Sequence, residues 1–245
     1  MLCALSILAL ALGLVNAQPS GASWPMLGGG AGGASFSLSA GRRVAPSALW
    51  AFGANKTAYP CTWCPPAVGA GGIIYALGVC NGATSLYSQM VALGPAGDLL
   101  WAAQHANASL NYESTPALTA DGAVLFGNSE GTVALDAATG ALRWRAPIPG
   151  GCSGPYENSP NSMSPVLAPG GLAINACREV VLAVDAASGA PVWQFTAPAA
   201  SASILNSVAV DAARGRVFVR VCGGARTPLP PHTARSDPST STPRP

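Results

Sequence analysis

From residue 65 onward the chain is a succession of apolar runs, each three to six residues long and each closed by Gly, Asp, Asn or Pro. The runs come in sets of four. One set is Pro66-Ala67-Val68, Gly72-Ile73-Ile74-Tyr75, Met90-Val91-Ala92-Leu93 and Leu99-Leu100-Trp101. The next is Pro116-Ala117-Leu118, Gly122-Ala123-Val124-Leu125-Phe126, Thr132-Val133-Ala134-Leu135 and Leu142-Arg143-Trp144. A third is Pro165-Val166-Leu167, Gly171-Leu172-Ala173-Ile174, Val180-Val181-Leu182-Ala183-Val184 and Val192-Trp193-Gln194-Phe195. A fourth begins with Val208-Ala209-Val210 and Arg216-Val217-Phe218-Val219 and then dissolves. Runs so short predict strands, because a helix needs about ten or more residues of sustained periodicity. Four strands per unit, repeated, predict an all-β chain of four-stranded antiparallel β-propeller blades.

A motif sharpens the repeat. Ala-x-Asp-x-x-x-Gly-x-x-x-Trp occurs twice, letter for letter, 49 positions apart: Ala134, Asp136, Gly140 and Trp144, then Ala183, Asp185, Gly189 and Trp193. Self-similarity at about 40–50 residues marks a repeat architecture. The Asp is expected to accept hydrogen bonds from amides one or two residues on, and the Gly to supply a positive φ. Each Trp then needs a neighbour to cover its apolar face. In a propeller that neighbour is the next blade, so Trp50, Trp101, Trp144 and Trp193 read as a ladder joining blades. In the first unit Gly94 stands where the Asp should be, and Pro95-Ala96-Gly97 makes the turn one residue shorter. Trp50 lies on a lone outer strand, which could complete the fourth unit and close a four-bladed ring that would still lack one strand.

These residues resemble the quinoprotein-dehydrogenase-like (PQQ-like) repeat family, whose blades carry a tryptophan-docking motif of this form. Ser23-Trp24-Pro25-Met26-Leu27-Gly28-Gly29 followed by Leu49-Trp50-Ala51-Phe52 is similar to the start of secreted members, and the resemblance covers roughly 24–222. It implies a propeller of the WD40/YVTN-like type. For the enzymes of the family it also implies pyrroloquinoline quinone with Ca²⁺, a catalytic Asp and an adjacent Cys-Cys disulfide. This chain has no Cys-Cys pair and only ten acidic residues, of which Asp136 and Asp185 belong to the docking motif. Other members carry no cofactor and act as scaffolds or binding surfaces. The architecture is carried over and the catalysis is not.

Residues 1–17 read as a signal peptide, with an apolar stretch from Leu2 to Val15 and a small-residue site at Val15-Asn16-Ala17, although no Lys or Arg precedes it. Residues 18–47 read as an irregular lead-in and 48–223 as the repeats, with blades near 65–103, 115–146 and 164–196 and a partial one at 204–222. Residues 224–245, rich in Pro, Ser and Thr, read as a disordered tail, and a truncated or mis-joined gene would explain the break. No later stretch offers about 20 uninterrupted apolar residues, so no transmembrane helix is expected. The net charge is +2 with 9% charged residues, and the Arg are scattered, which gives no case for nucleic acid.

Once Cys3 leaves with the leader, six cysteines remain: Cys61, Cys64, Cys80, Cys152, Cys177 and Cys222. An even number in an exported chain favours disulfides, with about 15 possible connectivities. Cys61-Thr62-Trp63-Cys64 lacks the helix start of a redox pair and the second close pair of a zinc site, so it reads as structural. Asn55-Lys56-Thr57 and Asn107-Ala108-Ser109 are glycosylation sequons. His105 reads as a loop residue just past a Trp strand. The stretches 107–113 and 150–163 read as longer inter-blade connections on one face, where ligands bind, although a plain solvated loop fits both as well. No catalytic or metal-binding set is legible. The resulting expectation is a secreted, non-catalytic propeller repeat module for a protein or glycan partner, without cofactor. A fragment of a quinone-dependent dehydrogenase is the alternative, and a degenerate fragment with no function of its own is a third reading.

Overall fold

A computed structural model describes residues 7–11, 47–53, 61–81, 86–105, 114–128, 130–150, 152, 164–177, 179–197, 203–204, 207–219 and 221–222. The described chain is almost entirely strand. At the N-terminal side β1 (Ile7–Ala11) pairs antiparallel with β2 (Ser47–Phe52). Blade 1 follows: β3 (Cys61–Trp63) and β4 (Ala67–Val68) both pair with β5 (Ile74–Asn81), which continues to β6 (Leu86–Leu93) and β7 (Leu99–His105). Blade 2 is the meander β8 (Ala117–Leu118), β9 (Ala123–Gly127), β10 (Gly131–Asp136) and β11 (Leu142–Pro147). Blade 3 is β12 (Val166–Ala168), β13 (Leu172–Cys177), β14 (Val180–Asp185) and β15 (Pro191–Thr196). Beyond it, β16 (Ser203–Ile204) pairs with β19 (Val221–Cys222), and β17 (Ala209–Asp211) with β18 (Arg216–Phe218). This is a partial β-propeller of four-stranded antiparallel blades.

The core lies between blades. Along β9, Ala123 and Leu125 face the layer shared with blade 3, while Val124 and Phe126 face the layer shared with blade 1. Along β6, Met90 and Ala92 join that same layer, and Val91 and Leu93 turn to the layer beneath β2. Middle strands are therefore buried on both faces and must be apolar throughout, which is why the sequence shows runs rather than alternation there. Outer strands have one covered face. In β11 only Trp144 and Ala146 are buried, and Leu142, Arg143, Arg145 and Pro147 are exposed.

Three particulars correct or add to the sequence reading. The innermost strand of blade 1 begins at Cys61 and is merely interrupted by Pro65-Pro66, because proline has no N–H for the ladder. Cys61 lies opposite Cys80 across that ladder and is disulfide-bonded to it, so the C-x-x-C pair does not close on itself; Cys64 is buried in the layer between blades 1 and 2. A second disulfide joins Cys152 to Cys177. Finally, β2 is not a lone strand: β1, from the stretch read as a leader, lies along it. Residues 12–46, both sequons, most of 150–163 and the tail fall outside the described residues, as does the side chain of Cys222.

Candidate functional site

Antiparallel pairing sorts each blade into two ends. At one end lie the turns between first and second strands and between third and fourth. At the other lie the turns between second and third strands, and the starts and finishes of the blades.

The first end is occupied by the repeated motif. Asp136 Oδ1 accepts hydrogen bonds from the amides of Ala138 (3.1 Å) and Thr139 (3.0 Å) and from the Thr139 hydroxyl (2.9 Å). Asp185 repeats this with Ala187 (3.2 Å), Ser188 N (2.8 Å) and Ser188 Oγ (2.7 Å). The amides involved are two and three residues on, one further than the expectation, because the turn spans five residues and closes with Gly140 N donating to Asp136 O. Gly140 and Gly189 then adopt φ of 75° and 74°. In blade 1 the shorter turn closes from Gly97 N to Gly94 O, and the Asp98 carboxylate lies over the Gly94 α-carbon.

An indole from the preceding unit lies on each of these turns. Trp101 Nε1 donates to Ala137 O (3.0 Å), Trp144 Nε1 to Ala186 O (3.2 Å) and Trp50 Nε1 to Pro95 O (3.1 Å). The rings press on Gly140, Gly189 and Gly97, where an added Cβ would come within 2.7, 2.6 and 2.6 Å of indole carbons. Tyr75 Oη adds a second donor to Ala137 O (3.2 Å). The motif alanine sits opposite the Trp of its own blade: Ala92 faces Trp101, Ala134 faces Trp144 and Ala183 faces Trp193. A bulge follows each of these alanines and turns the residue before the Trp outward. Trp193 itself is half-buried against the layer that receives Val217 and Val219.

Charge at this end is consumed locally. Arg143, the bulge residue of β11, donates to Asp121 Oδ2 (3.0 Å) and Asp136 Oδ2 (2.9 Å), clipping the two turns of blade 2 together. That guanidinium, aided by Thr139 and the turn amides, holds the Asp136 carboxyl down at about 2. Asp185 is lowered by Ser188 and Ala187. Burial, and then the Asp136 charge, raise the Tyr75 phenol.

The opposite end holds the buried polar side chains. Ser114 Oγ accepts from Gly127 N (3.0 Å), and Thr115 N donates to Ser164 Oγ (2.8 Å), tying the start of blade 2 to the start of blade 3. Asn175 Nδ2 donates to Thr132 Oγ1 (3.0 Å) across the same interface. Asn128 Oδ1 accepts from Glu130 N and Gly131 N in the β9–β10 turn. His105 is the final residue of β7, not a loop residue, and is 7% exposed with its ring 5.3 Å from that of Phe126. Burial, and then the charge of Arg145, push its pKa below 6.5. Among the described residues, His105 Nε2 and Thr115 Oγ1 are buried without hydrogen-bond partners. The sequence marked His105 as a loop residue and gave no sign of its burial, and Thr115 is one hydroxyl among many. Among the described residues no three His, Cys, Asp or Glu side chains gather as a metal-ligand set.

A family model of PQQ-like repeats, described as outer membrane protein assembly factor BamB, matches residues 88–233. The chain belongs to this PQQ-like repeat family. A search of curated proteins finds no match. Among solved structures, 38 chains match, including a europium-containing methanol dehydrogenase at 15% identity and a TM-score of 0.47, covering 71% of this chain and 32% of that one. The PQQ-like repeats here thus span about a third of that protein's length. Among the described residues no helix is long and apolar enough to cross a membrane.

Proposed function

We propose that this PQQ-like repeat chain is a non-catalytic binding module of an oxidising, extracellular compartment, offering the connections at one end of its blades to a protein or glycan partner. The observation that carries this reading is the contrast between the two ends. At the turn end Asp136, Asp185, Arg143 and the indoles are spent on internal bonds. At the other end β7 and β11 finish, β8 and β12 begin, and His105 Nε2 and Thr115 Oγ1 have no hydrogen-bond partner among the described residues. Loops carried by a rigid scaffold are where binding residues concentrate. The family description, an assembly factor, names a role of the same kind. Two disulfides support an oxidising compartment.

Pyrroloquinoline quinone with Ca²⁺ belongs to the alternative reading, a dehydrogenase fragment, and the reading proposed here does without it. The carboxylates Asp136 and Asp185 are held within their own turns, and no metal-ligand set gathers among the described side chains. No catalytic step is assigned through the quinone.

The test uses the purified chain with added quinone and Ca²⁺, and an array of glycans and extracellular proteins. No dye-linked alcohol oxidation is expected. Replacing 107–113 or 153–163 by short Gly-Ser connections is expected to abolish array binding while the far-UV circular dichroism is unchanged. Alcohol oxidation, or binding untouched by both replacements, overturns the reading.

A further inference from the structure

The joint between blades 1 and 2 and the joint between blades 2 and 3 are built differently at the end where β7 and β11 finish. The strand registers allow a comparison position by position. Ala67, Ala117 and Val166 lie opposite Tyr75, Leu125 and Ile174 in the inner ladders. Ala92 and Ala134 lie opposite Trp101 and Trp144 in the outer ones. Pro65, Thr115 and Ser164 are therefore equivalent, as are Phe126 and Asn175, Met90 and Thr132, and His105 and Ile148.

At this end the joint between blades 2 and 3 has two side-chain hydrogen bonds, Thr115 N to Ser164 Oγ and Asn175 Nδ2 to Thr132 Oγ1, with Ile148 packed among apolar neighbours. The joint between blades 1 and 2 can make neither bond. Proline at 65 has no N–H to offer Thr115 Oγ1, which is left without a partner among the described residues. Met90 and Phe126 stand where the Thr and Asn would be, and fill the layer with apolar side chains. The place of Ile148 is taken by His105, buried with its ring against Phe126.

A neutral imidazole is tolerated in such a layer. An imidazolium is not, because a buried charge needs water or an acceptor. Directly opposite His105, β6 presents Ser88, and β9 presents Phe126, neither of which carries a charge. The charged neighbour is Arg145 of β11, bridged at 3.8 Å to Glu130, and it repels a second cation. His105 Nε2 has no acceptor among the described residues. At the turn end the same two blades are held by Trp101 Nε1 and Tyr75 Oη, both donating to Ala137 O.

We propose that the joint between blades 1 and 2 is an acid-opened hinge: protonation of His105 parts the two blades at the end where β7 finishes, while Trp101 and Tyr75 keep them joined at the turn end. The joint between blades 2 and 3, with Ile148 in the equivalent place, stays shut. No strand ladder within a blade has to break.

The Cys64 thiol, buried in the layer between blades 1 and 2, reports the opening. The full chain is treated with a dipyridyl disulfide, which reacts with thiols in acid as well as at neutral pH. Labelling of Cys64 is followed by peptide mass spectrometry and divided by the rate for the same chain in denaturant. Opening takes up one proton, so the ratio is expected to rise by up to about tenfold per pH unit below about 6.5. The far-UV circular dichroism is expected to stay unchanged over that range. His105→Ile copies blade 2, and His105→Gln keeps a polar side chain that cannot be protonated; each is expected to remove the rise. Two variants are used so that misfolding of one leaves the other to decide. A ratio independent of pH in the parent chain, a rise retained in either folded variant, or a loss of sheet dichroism over the same range would each overturn the proposal.

Discussion

At the residue scale, the hydrogen on the α-carbon of Gly189 is what lets blades 2 and 3 meet. A methyl group there would lie 2.6 Å from a Trp144 ring carbon, on a backbone with φ of 74°. Gly189→Ala is expected to cost at least about 1–2 kcal/mol from the left-handed backbone alone, with displacement of the indole added. Trp144→Ala is expected to cost about 3–5 kcal/mol. The double variant should fall short of the sum, since both changes damage one contact. Urea midpoints of the three variants measure this, and full additivity would disprove the contact. His105 gives a pH signature. Its folded pKa lies below 6.5 because of burial and then Arg145, so the neutral form belongs to the folded state. The stabilisation is complete above about 6.5 and is lost as the pH falls through the folded value. His105→Phe is expected to flatten the melting-temperature profile between about pH 7 and pH 5, and an unchanged slope would count against the assignment.

At the scale of elements, the turn after β10 behaves as a unit. Asp136 binds two amides and a hydroxyl of its own turn and one guanidinium from the next strand. Its folded pKa of about 2 lies below the ordinary carboxylate value. Its contribution is therefore present above about pH 4 and lost as the pH falls towards 2. Asp136→Asn should remove that part of the acid transition in a circular-dichroism titration; a transition of unchanged steepness would show that the carboxylate does nothing there. Such turns were legible in the sequence because Asp, Gly and Trp recur together, and the four-run pattern followed from strands buried on both faces. Other elements were hidden for physical reasons. Pro65-Pro66 breaks the inner strand of blade 1 and masks β3 behind it. The pairing of Cys61 with Cys80 depends on a strand register that spacing cannot supply. The run Leu8-Ala9-Leu10 is as apolar as an export leader, which conceals its likeness to Val91-Ala92-Leu93. His105 ends a strand beside polar neighbours, so nothing in its surroundings foretells burial.

At the scale of the molecule, the described residues form a row of units packed against their neighbours. The two disulfides act within this row, joining β3 to β5 in blade 1 and the stretch after β11 to the end of β13. Their partners are 19 and 25 residues apart, which in the chain-entropy view is worth about 3 kcal/mol each. Reduction is expected to lower the melting temperature, measured by calorimetry with and without reductant; no change would mean that the bridges are idle. In such a row stability is a sum of units and joints, and unfolding can proceed from one site along the chain. Each joint described here carries its own tryptophan, with Trp50, Trp101 and Trp144 on successive turns. The protein is thereby furnished with intrinsic fluorophores, one to a hinge. As the row comes apart, release of each indole from its turn would move the emission to longer wavelength, so steps in a denaturant titration would report the joints as they open.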